Sequence, residues 1–192
     1  MAPKICFEII AFQADYVLEE CIKTIAPHGK VLVAEGPVKF WYDQGFRTST
    51  DTTNDILHEQ LPDECIVHGN WDEKDSESNA PLHLVPDGTE FLWLVDSDEI
   101  FFKEDIEKII GILETGDVDS VALKANSFYG SFNRRMTGFE EQFQVHRIQR
   151  WYPGARWQTH RPPTILAPDG KPWREHRHLS NEDTDKLEVR FF

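Results

Sequence analysis

Two apolar segments joined by one amphipathic helix constrain the fold of this chain more than any other feature. Lys4–Ala11 and Lys30–Ala34 are nearly continuous apolar runs of strand length, a pattern typical of strands that are buried on both faces. Between them, apolar residues recur at helical spacing after Asp15, which we predict as the N-cap. A strand, a helix and a strand within about thirty residues normally form a right-handed crossover between parallel strands. The opening segment therefore predicts an α/β fold.

The rest of the chain continues this alternation of strands and helices. Phe91–Val95 predicts a central strand, and Lys103–Glu114 has the apolar stripe of a helix that packs on a sheet. We therefore predict an α/β domain over residues 1–192, with a mostly parallel, mixed sheet flanked by helices. The weaker patterns predict a helix at Asp51–Leu61, strands at Cys65–Val67, Asp119–Lys124 and Gln142–Trp151, a polar loop at Asn70–Asn79 and irregular structure after Tyr152.

The charge distribution narrows the classes of function. The chain has a net charge of −14; residues 1–130 contain 26 acidic and 9 basic residues, whereas residues 131–180 contain 9 basic and 4 acidic residues. Most of the surface would repel phosphates, which argues against general nucleic-acid binding. The basic C-terminal third, together with a metal ion, is suited to a small anionic substrate. Neither a signal peptide nor a membrane-length apolar segment is apparent, so we expect a soluble, cytoplasmic protein.

The segment with the strongest chemical signal is the acidic sequence that follows the predicted central strand. Asp96 and Asp98 are two residues apart, so in extended geometry both carboxylates point to one side at the carboxyl edge of the sheet. Their oxygens suit Mg²⁺ or Mn²⁺. An EF-hand is excluded because Ile100 and Phe101 occupy loop positions that need a ligand and a glycine. The alternative is that Asp96 is only a capping or loop carboxylate.

A buried strand that ends in DSDE, preceded by a strand that ends in Glu35, resembles family 2-type glycosyltransferases of the GT-A fold. The resemblance covers roughly residues 4–160. It implies a nucleotide-diphospho-sugar transferase fold, with residues 1–100 as the nucleotide-binding half and residues 101–192 as the acceptor half with an irregular C-terminal segment. It also implies a nucleotide-sugar donor, Mn²⁺ or Mg²⁺ as cofactor, and contact between Glu35 and the nucleoside. The first turn, Ala11–Asp15, departs from the Asn-Glu type turn of the family.

The same resemblance implies roles for further residues. Asp98 is the preferred direct metal ligand, and Asp96 binds the ion through water or contacts the ribose. His160 resembles the late histidine that completes the metal site. If the transfer inverts the anomeric carbon, the position of the family's general base falls near Glu140 and Glu141.

The basic C-terminal region adds candidate ligands for the diphosphate. Arg147 and Arg150 are predicted to contact it in a bidentate manner. Trp151 and Trp157 either stack on a sugar face or pack in the core. The rivals of His160 for the role of metal ligand are His176 and His178.

Several alternatives stay open at the level of sequence. A sugar nucleotidyltransferase shares this scaffold, but the glycine-rich basic loop of such enzymes has no counterpart in Ala11–Asp15. A glycosidase requires a pair of carboxylates that the sequence does not single out. A non-catalytic nucleotide- or sugar-binding module on the same fold is also compatible with the sequence. The acceptor is a glycan, a lipid or a small molecule, and chains of this type often continue beyond the position of Phe192.

Overall fold

The computed structural model describes residues 4–138 and 144–191. Its helices and strands alternate along the first two thirds of the chain, and short strands dominate the last third. The α-helices are α1 (Leu18–Ile25), α2 (Lys39–Tyr42), α3 (Thr53–Gln60), α4 (Lys74–Asn79), α5 (Lys103–Glu114) and α6 (Asn181–Lys186). The strands are β1 (Ile5–Ala11), β2 (Lys30–Glu35), β3 (Ile66–His68), β4 (Phe91–Asp96), β5 (Ser120–Ala125), β6 (Gln144–Arg150), β7 (Trp157–His160), β8 (Pro163–Ile165), β9 (His178–Leu179) and β10 (Arg190–Phe191).

One mixed sheet organises the molecule. Its strand order is β10-β5-β6-β4-β1-β2-β3, with β9 beside β5, while β7 and β8 form a separate antiparallel pair. Strand β1 is parallel to both β2 and β4, and β6 is the strand that runs antiparallel to its neighbours β4 and β5. The predicted α/β class with a mostly parallel, mixed sheet is confirmed.

The helices cover the sheet with the apolar stripes expected from the sequence. Helix α1 buries Leu18, Cys21, Ile22 and Ile25, and α5 buries Ile106, Ile109 and Leu113. Within the described residues, no helix combines the length and the apolar character that crossing a membrane requires.

The start of α1 differs from the prediction. Val17, not Asp15, occupies the N-cap position, and its side chain makes no capping hydrogen bond. The Asp15 carboxylate instead accepts a hydrogen bond from the Thr52 hydroxyl at 3.3 Å. A tertiary contact between the loops has replaced the local cap.

Two local predictions were wrong. The predicted polar loop at Asn70–Asn79 contains α4, and the region after Tyr152 contains β7, β8, β9, α6 and β10. Long-range contacts explain why α4 forms in the predicted loop and why β7 forms after Tyr152. Asn79 exchanges two hydrogen bonds of 2.9 Å with the backbone of Trp157, and the Trp157 indole donates to buried Glu8 at 2.7 Å. Such pairing between distant segments leaves little trace in local hydrophobic periodicity.

The strand order creates a crevice at the carboxyl ends of the central strands. The chain passes from β1 to β2 on one side and later returns to β4 on the other side of β1. In open α/β sheets, ligands bind at such a switch in strand order. Asp96, the last residue of β4, lies opposite Ile10 near the end of β1. The acidic segment is therefore positioned at the crevice by the topology.

Candidate functional site

Two cavities meet at the acidic segment. The first, of about 560 Å³, is lined by the end of β1, by residues that follow β1 and β2, and by Lys74, Glu77 and Arg161; we call it the basic cavity. The second, of about 630 Å³, is lined chiefly by the segment that follows β5, residues 125–132, and we call it the loop cavity. Both cavities are lined by Tyr16, Val17, Asp96 and Asp98. Asp96 and Asp98, which we call the acidic ridge, therefore border both cavities.

The turn that carries the ridge is closed by its own fourth residue. The Glu99 amide donates to the Asp96 carbonyl at 3.0 Å, and the Asp96 amide donates to Glu99 Oε2 at 3.1 Å. Glu99 is thereby buried and points inward. Asp98 is exposed, and no described residue hydrogen bonds to its carboxylate. The turn thus places one free carboxylate in both cavities.

Arg147 of β6 fixes the inner side of this turn. Its Nη2 donates to Asp96 Oδ2 at 2.6 Å and also contacts Glu99 Oε1, while the arginine side chain is 3% exposed. Burial opposes the ionised form of Asp96, but the Arg147 guanidinium outweighs it and keeps the pKa of Asp96 below its usual value. Burial raises the pKa of Glu99 despite the same guanidinium. Arg147, which was predicted to contact the diphosphate, is thus paired with two carboxyl groups of the acidic turn.

The carboxylates of the ridge are compatible with a divalent ion. Asp96 Oδ1 is buried and has no hydrogen-bond partner among the described residues, and Asp98 is exposed. Mg²⁺ and Mn²⁺ use one or two carboxylates and complete their coordination with water and substrate phosphates. Within residues 4–138 and 144–191, no group of three or more His, Cys, Asp or Glu side chains is placed to hold a metal ion. The structure therefore does not assemble Asp96, Asp98 and His160 as one set of ligands.

The basic cavity offers cations opposite the acidic ridge. Lys74 at the start of α4 and Arg161 after β7 both line it. The third charged group of this wall, Glu77, is 3% exposed, and burial raises its pKa to about 8, although Lys74 acts in the opposite direction. Near neutral pH, Glu77 is therefore mostly protonated. Its protonation leaves Lys74 and Arg161 as the charges of that wall.

Aromatic rings form another part of the basic cavity. Phe12 and Trp41 line it, and their ring centroids are 6.2 Å apart. Phe46 packs edge-on against both rings, at 5.7 Å and 5.9 Å. Trp41 is 40% exposed, so part of its ring is available to a planar ligand.

Strand β7, which ends at His160 directly before Arg161, is tied to the core at its other end. Trp157 of β7 is bound through its backbone to Asn79 and through its indole to Glu8. Burial raises the pKa of Glu8 well above its usual value, although the indole hydrogen bond acts against this. Trp157 is thus a core residue. Burial and then the nearby Lys74 lower the pKa of His160, while Asp96 acts in the opposite sense.

Glu35, which the resemblance matches to the nucleoside contact, lies at the end of β2 as expected, and protein groups surround its carboxylate. It is fully buried, and its carboxylate accepts hydrogen bonds from the Ser49 amide at 2.8 Å and from the Thr48 hydroxyl at 3.1 Å. His68 Nδ1 lies 2.9 Å from its other side. Glu35 is not among the residues that line either cavity, and its contacts hold the segment beside the crevice in place.

The remaining basic and aromatic candidates lie away from the ridge. Arg150 pairs with Phe91 at the start of β4, about 17 Å along the strand from Asp96. Its guanidinium contacts Asp119 at 2.7 Å. Among the other candidates, Trp151 packs against the core, His176 lies 3.4 Å from Asp169, and His178 hydrogen bonds to Ser120.

Two candidates cannot be placed, and several lining residues were not predicted. Glu140 and Glu141 lie outside the described residues. No role was predicted for Arg161, although it directly follows His160, and none was predicted for Asn126 or Glu77. The predicted role of His160 was a weak indication for its neighbour Arg161. No local pattern distinguishes Asn126 from any other loop asparagine.

No protein-family model and no curated protein sequence matches this chain. Among solved structures, TarS of S. aureus, in a crystal structure with UDP-GlcNAc, is similar at 17% identity and a TM-score of 0.48, over 70% of this chain and 37% of that chain. The 4-diphosphocytidyl-2C-methyl-D-erythritol synthase of Anaerococcus prevotii is similar at 14% identity and a TM-score of 0.47, over 77% of this chain and 71% of that chain. This chain spans less than two fifths of the TarS chains. Identity at this level says nothing about substrate or reaction.

Proposed function

We propose that this protein is a metal-dependent glycosyltransferase that moves a sugar from a nucleotide-diphosphate donor to an acceptor hydroxyl. The observation that supports this most is the acidic ridge of Asp96 and Asp98, which lines two separate cavities. A transfer between two substrates needs a donor site and an acceptor site that meet at the reacting atoms. The ridge provides such a meeting point.

The basic cavity is the proposed donor site. Lys74 and Arg161 supply positive charge for a diphosphate, and the protonated form of Glu77 adds no repulsion. The exposed part of Trp41, beside Phe12, offers a stacking surface for a base. Arg147 has a supporting role, because its guanidinium is engaged with Asp96 and Glu99.

The proposed metal ion, Mn²⁺ or Mg²⁺, would be held by Asp98 and by Asp96 through its unpartnered Oδ1. When bound, such an ion acts as a Lewis acid that neutralises the charge of the departing diphosphate. His160 remains a proposed contact on the diphosphate, because the described residues do not assemble it with Asp96 and Asp98 as one set of metal ligands. Asp96 is held in its ionised form by Arg147, so it is prepared to face a cation without a change of protonation.

In the proposed transfer, the acceptor oxygen bonds to the anomeric carbon of the donor, and the bond from that carbon to the diphosphate oxygen breaks. The acceptor proton passes to a general base if the reaction inverts the anomeric carbon. Glu140 and Glu141 are the proposed candidates for that base. The loop cavity, on the other side of the ridge, is the proposed acceptor site.

The test is calorimetric titration of UDP and of GDP into the purified chain, first with Mn²⁺ and then with EDTA. We expect at least one of the two nucleotides to bind with Mn²⁺ and to lose about tenfold or more in affinity with EDTA. The Asp98→Ala variant should lose the Mn²⁺-dependent part of the affinity and keep its melting temperature, because the Asp98 side chain is exposed.

The matched control is Asp87→Ala, which removes an exposed carboxylate outside both cavities and should bind nucleotide like the wild type. Failure of both nucleotides to bind under either condition would refute the donor site. Binding that is equal with Mn²⁺ and with EDTA would refute the metal assignment.

A further inference from the structure

Beside the loop cavity lies a buried amide oxygen that has no partner among the described residues. Asn126 follows β5 and lines this cavity. It is 7% exposed, and no described residue donates a hydrogen bond to its Oδ1. A buried carbonyl oxygen without a donor has a desolvation cost of roughly 1–3 kcal/mol. A ligand that donates a hydrogen bond would remove this cost.

The charges of the loop cavity select the kind of donor. Among the described residues that line it, the carboxylates of Asp96 and Asp98 face the guanidinium of Arg147, and buried Glu99 closes the turn behind them. That guanidinium is already engaged by Asp96 and Glu99. A phosphate or carboxylate in this cavity would meet net negative charge, whereas hydroxyl groups would find acceptor oxygens.

Aromatic rings complete the loop cavity. Phe128 and Phe132 line it with ring centroids 5.6 Å apart in an edge-on arrangement, and Phe132 is 56% exposed. Tyr16, on the rim that both cavities share, is also exposed. Apolar faces combined with a few convergent polar groups match the surface of a sugar ring, which has C–H faces and hydroxyl edges.

We infer that the loop cavity binds a neutral carbohydrate, with Asn126 Oδ1 accepting a hydrogen bond from one of its hydroxyl groups. This inference rests on the proposed function, because it assigns the acceptor class of that transferase. In the metal-free chain it disfavours phosphorylated acceptors, which the carboxylates of Asp96 and Asp98 would repel. It also gives the buried Asn126 amide a purpose that packing alone does not explain.

The test compares binding of the labelled, metal-free chain to an array of neutral oligosaccharides and of the same oligosaccharides carrying phosphate groups. We expect binding to neutral members and about tenfold weaker binding to their phosphorylated forms. Asn126→Leu, which keeps the volume, and Asn126→Ala should each weaken glycan binding roughly five- to tenfold, the usual effect of one lost hydrogen bond in a buried site.

Two controls separate binding from folding. Asn133→Ala changes an exposed asparagine of the same loop and should bind glycans like the wild type. Asn126→Leu should keep or raise the melting temperature, because Oδ1 has no partner among the described residues to lose and its desolvation cost disappears, and both variants should keep the UDP affinity.

The outcomes distinguish this inference from the proposed function. Preference for phosphorylated glycans, absence of glycan binding, or wild-type glycan binding by both Asn126 variants would overturn the inference even where UDP binds normally. Loss of UDP binding in the wild type, with Asn126-dependent glycan binding retained, would refute the transferase and support a glycan site.

Discussion

The two cavities share one acidic ridge but differ in chemistry. The basic cavity has two cations, a mostly protonated glutamate and a cluster of aromatic rings. Among the described residues, the loop cavity has an amide oxygen without a hydrogen-bond partner, aromatic side chains, and carboxylates beside a cation that is already paired. The first suits a charged, planar ligand, and the second suits a neutral ligand that donates hydrogen bonds. Asp96 and Asp98 therefore border two cavities that suit ligands of different charge.

The comparison shows how a single turn can serve both cavities. Asp96 is fixed by Arg147 from the inside, whereas Asp98 is exposed and free of hydrogen bonds with the described residues. Arg147 holds Asp96 in place, and Asp98 remains accessible where the two cavities meet. The most informative experiments therefore change the support, then the basic cavity, and finally its exposed cations.

The largest expected effect follows removal of the shared support. Arg147→Met leaves Asp96 and buried Glu99 without their cation, which should lower the free energy of unfolding by about 3–5 kcal/mol. Urea denaturation measures this directly. Arg156→Met, at an exposed position, should be nearly neutral. Adding Glu99→Gln to the Arg147→Met variant should recover part of the loss. Wild-type stability in the single variant would mean that the arginine does not support the ridge.

The next effect is confined to the basic cavity and depends on pH. The pKa of Glu77 is raised to about 8 in the folded chain, so the folded state keeps a proton that the unfolded state releases at lower pH. The free energy of unfolding of the wild type should therefore fall as the pH rises from the usual pKa of a glutamate towards about 8. The Glu77→Gln variant has no group that ionises at this position. The difference in free energy of unfolding, variant minus wild type, should therefore be about 3 kcal/mol larger at pH 7.5 than at pH 5.

Urea denaturation at several pH values checks this difference between the two proteins. Burial is the main cause of the shift, and the charges of Lys74, Glu35 and Asp96 modify it. Buried Glu8 gives a trend of the same sign, but it is common to both proteins and cancels in the comparison. Glu59→Gln, at an exposed position of α3, should follow the wild type at every pH. Parallel curves for wild type and Glu77→Gln would show that Glu77 is ionised at neutral pH.

The smallest effect separates the two cavities most cleanly. The double variant Lys74→Met and Arg161→Met should weaken UDP binding about tenfold in calorimetry and leave glycan binding unchanged, because both cations line only the basic cavity. The double variant Lys103→Met and Arg156→Met removes two exposed cations elsewhere and should have no effect on either ligand. Equal losses for UDP and glycans would mean that the cavities do not act separately.

The local pattern was sufficient where a segment carries its own signal. The crossover from β1 through α1 to β2 followed from apolar runs and helical spacing, and the position of Asp96 and Asp98 followed from the buried strand before them. In each case the residues that determine the structure are neighbours in sequence. Burial of a strand or a helix face imposes a period that can be read directly.

Selection among similar residues required the tertiary structure. Arg147 and Arg150 lie three residues apart in one strand, yet the first contacts Asp96 and the second contacts Asp119. Their separation depends on β6 running antiparallel beside β4, a pairing between segments about fifty residues apart in sequence. Glu35 likewise kept its predicted place at the end of β2, but the 48–49 segment and His68 enclosed its carboxylate.

The sequence by itself determined the α/β class, the central parallel strands and the acidic turn at their carboxyl edge, because these arise from local periodicity. Only the tertiary structure decided which side chains surround that turn. Lys74, Arg161 and Asn126 come from three distant segments that meet at one edge of the sheet. Their proposed roles depend on burial and on charges brought close in space, and neither property is encoded in the spacing of residues along the chain.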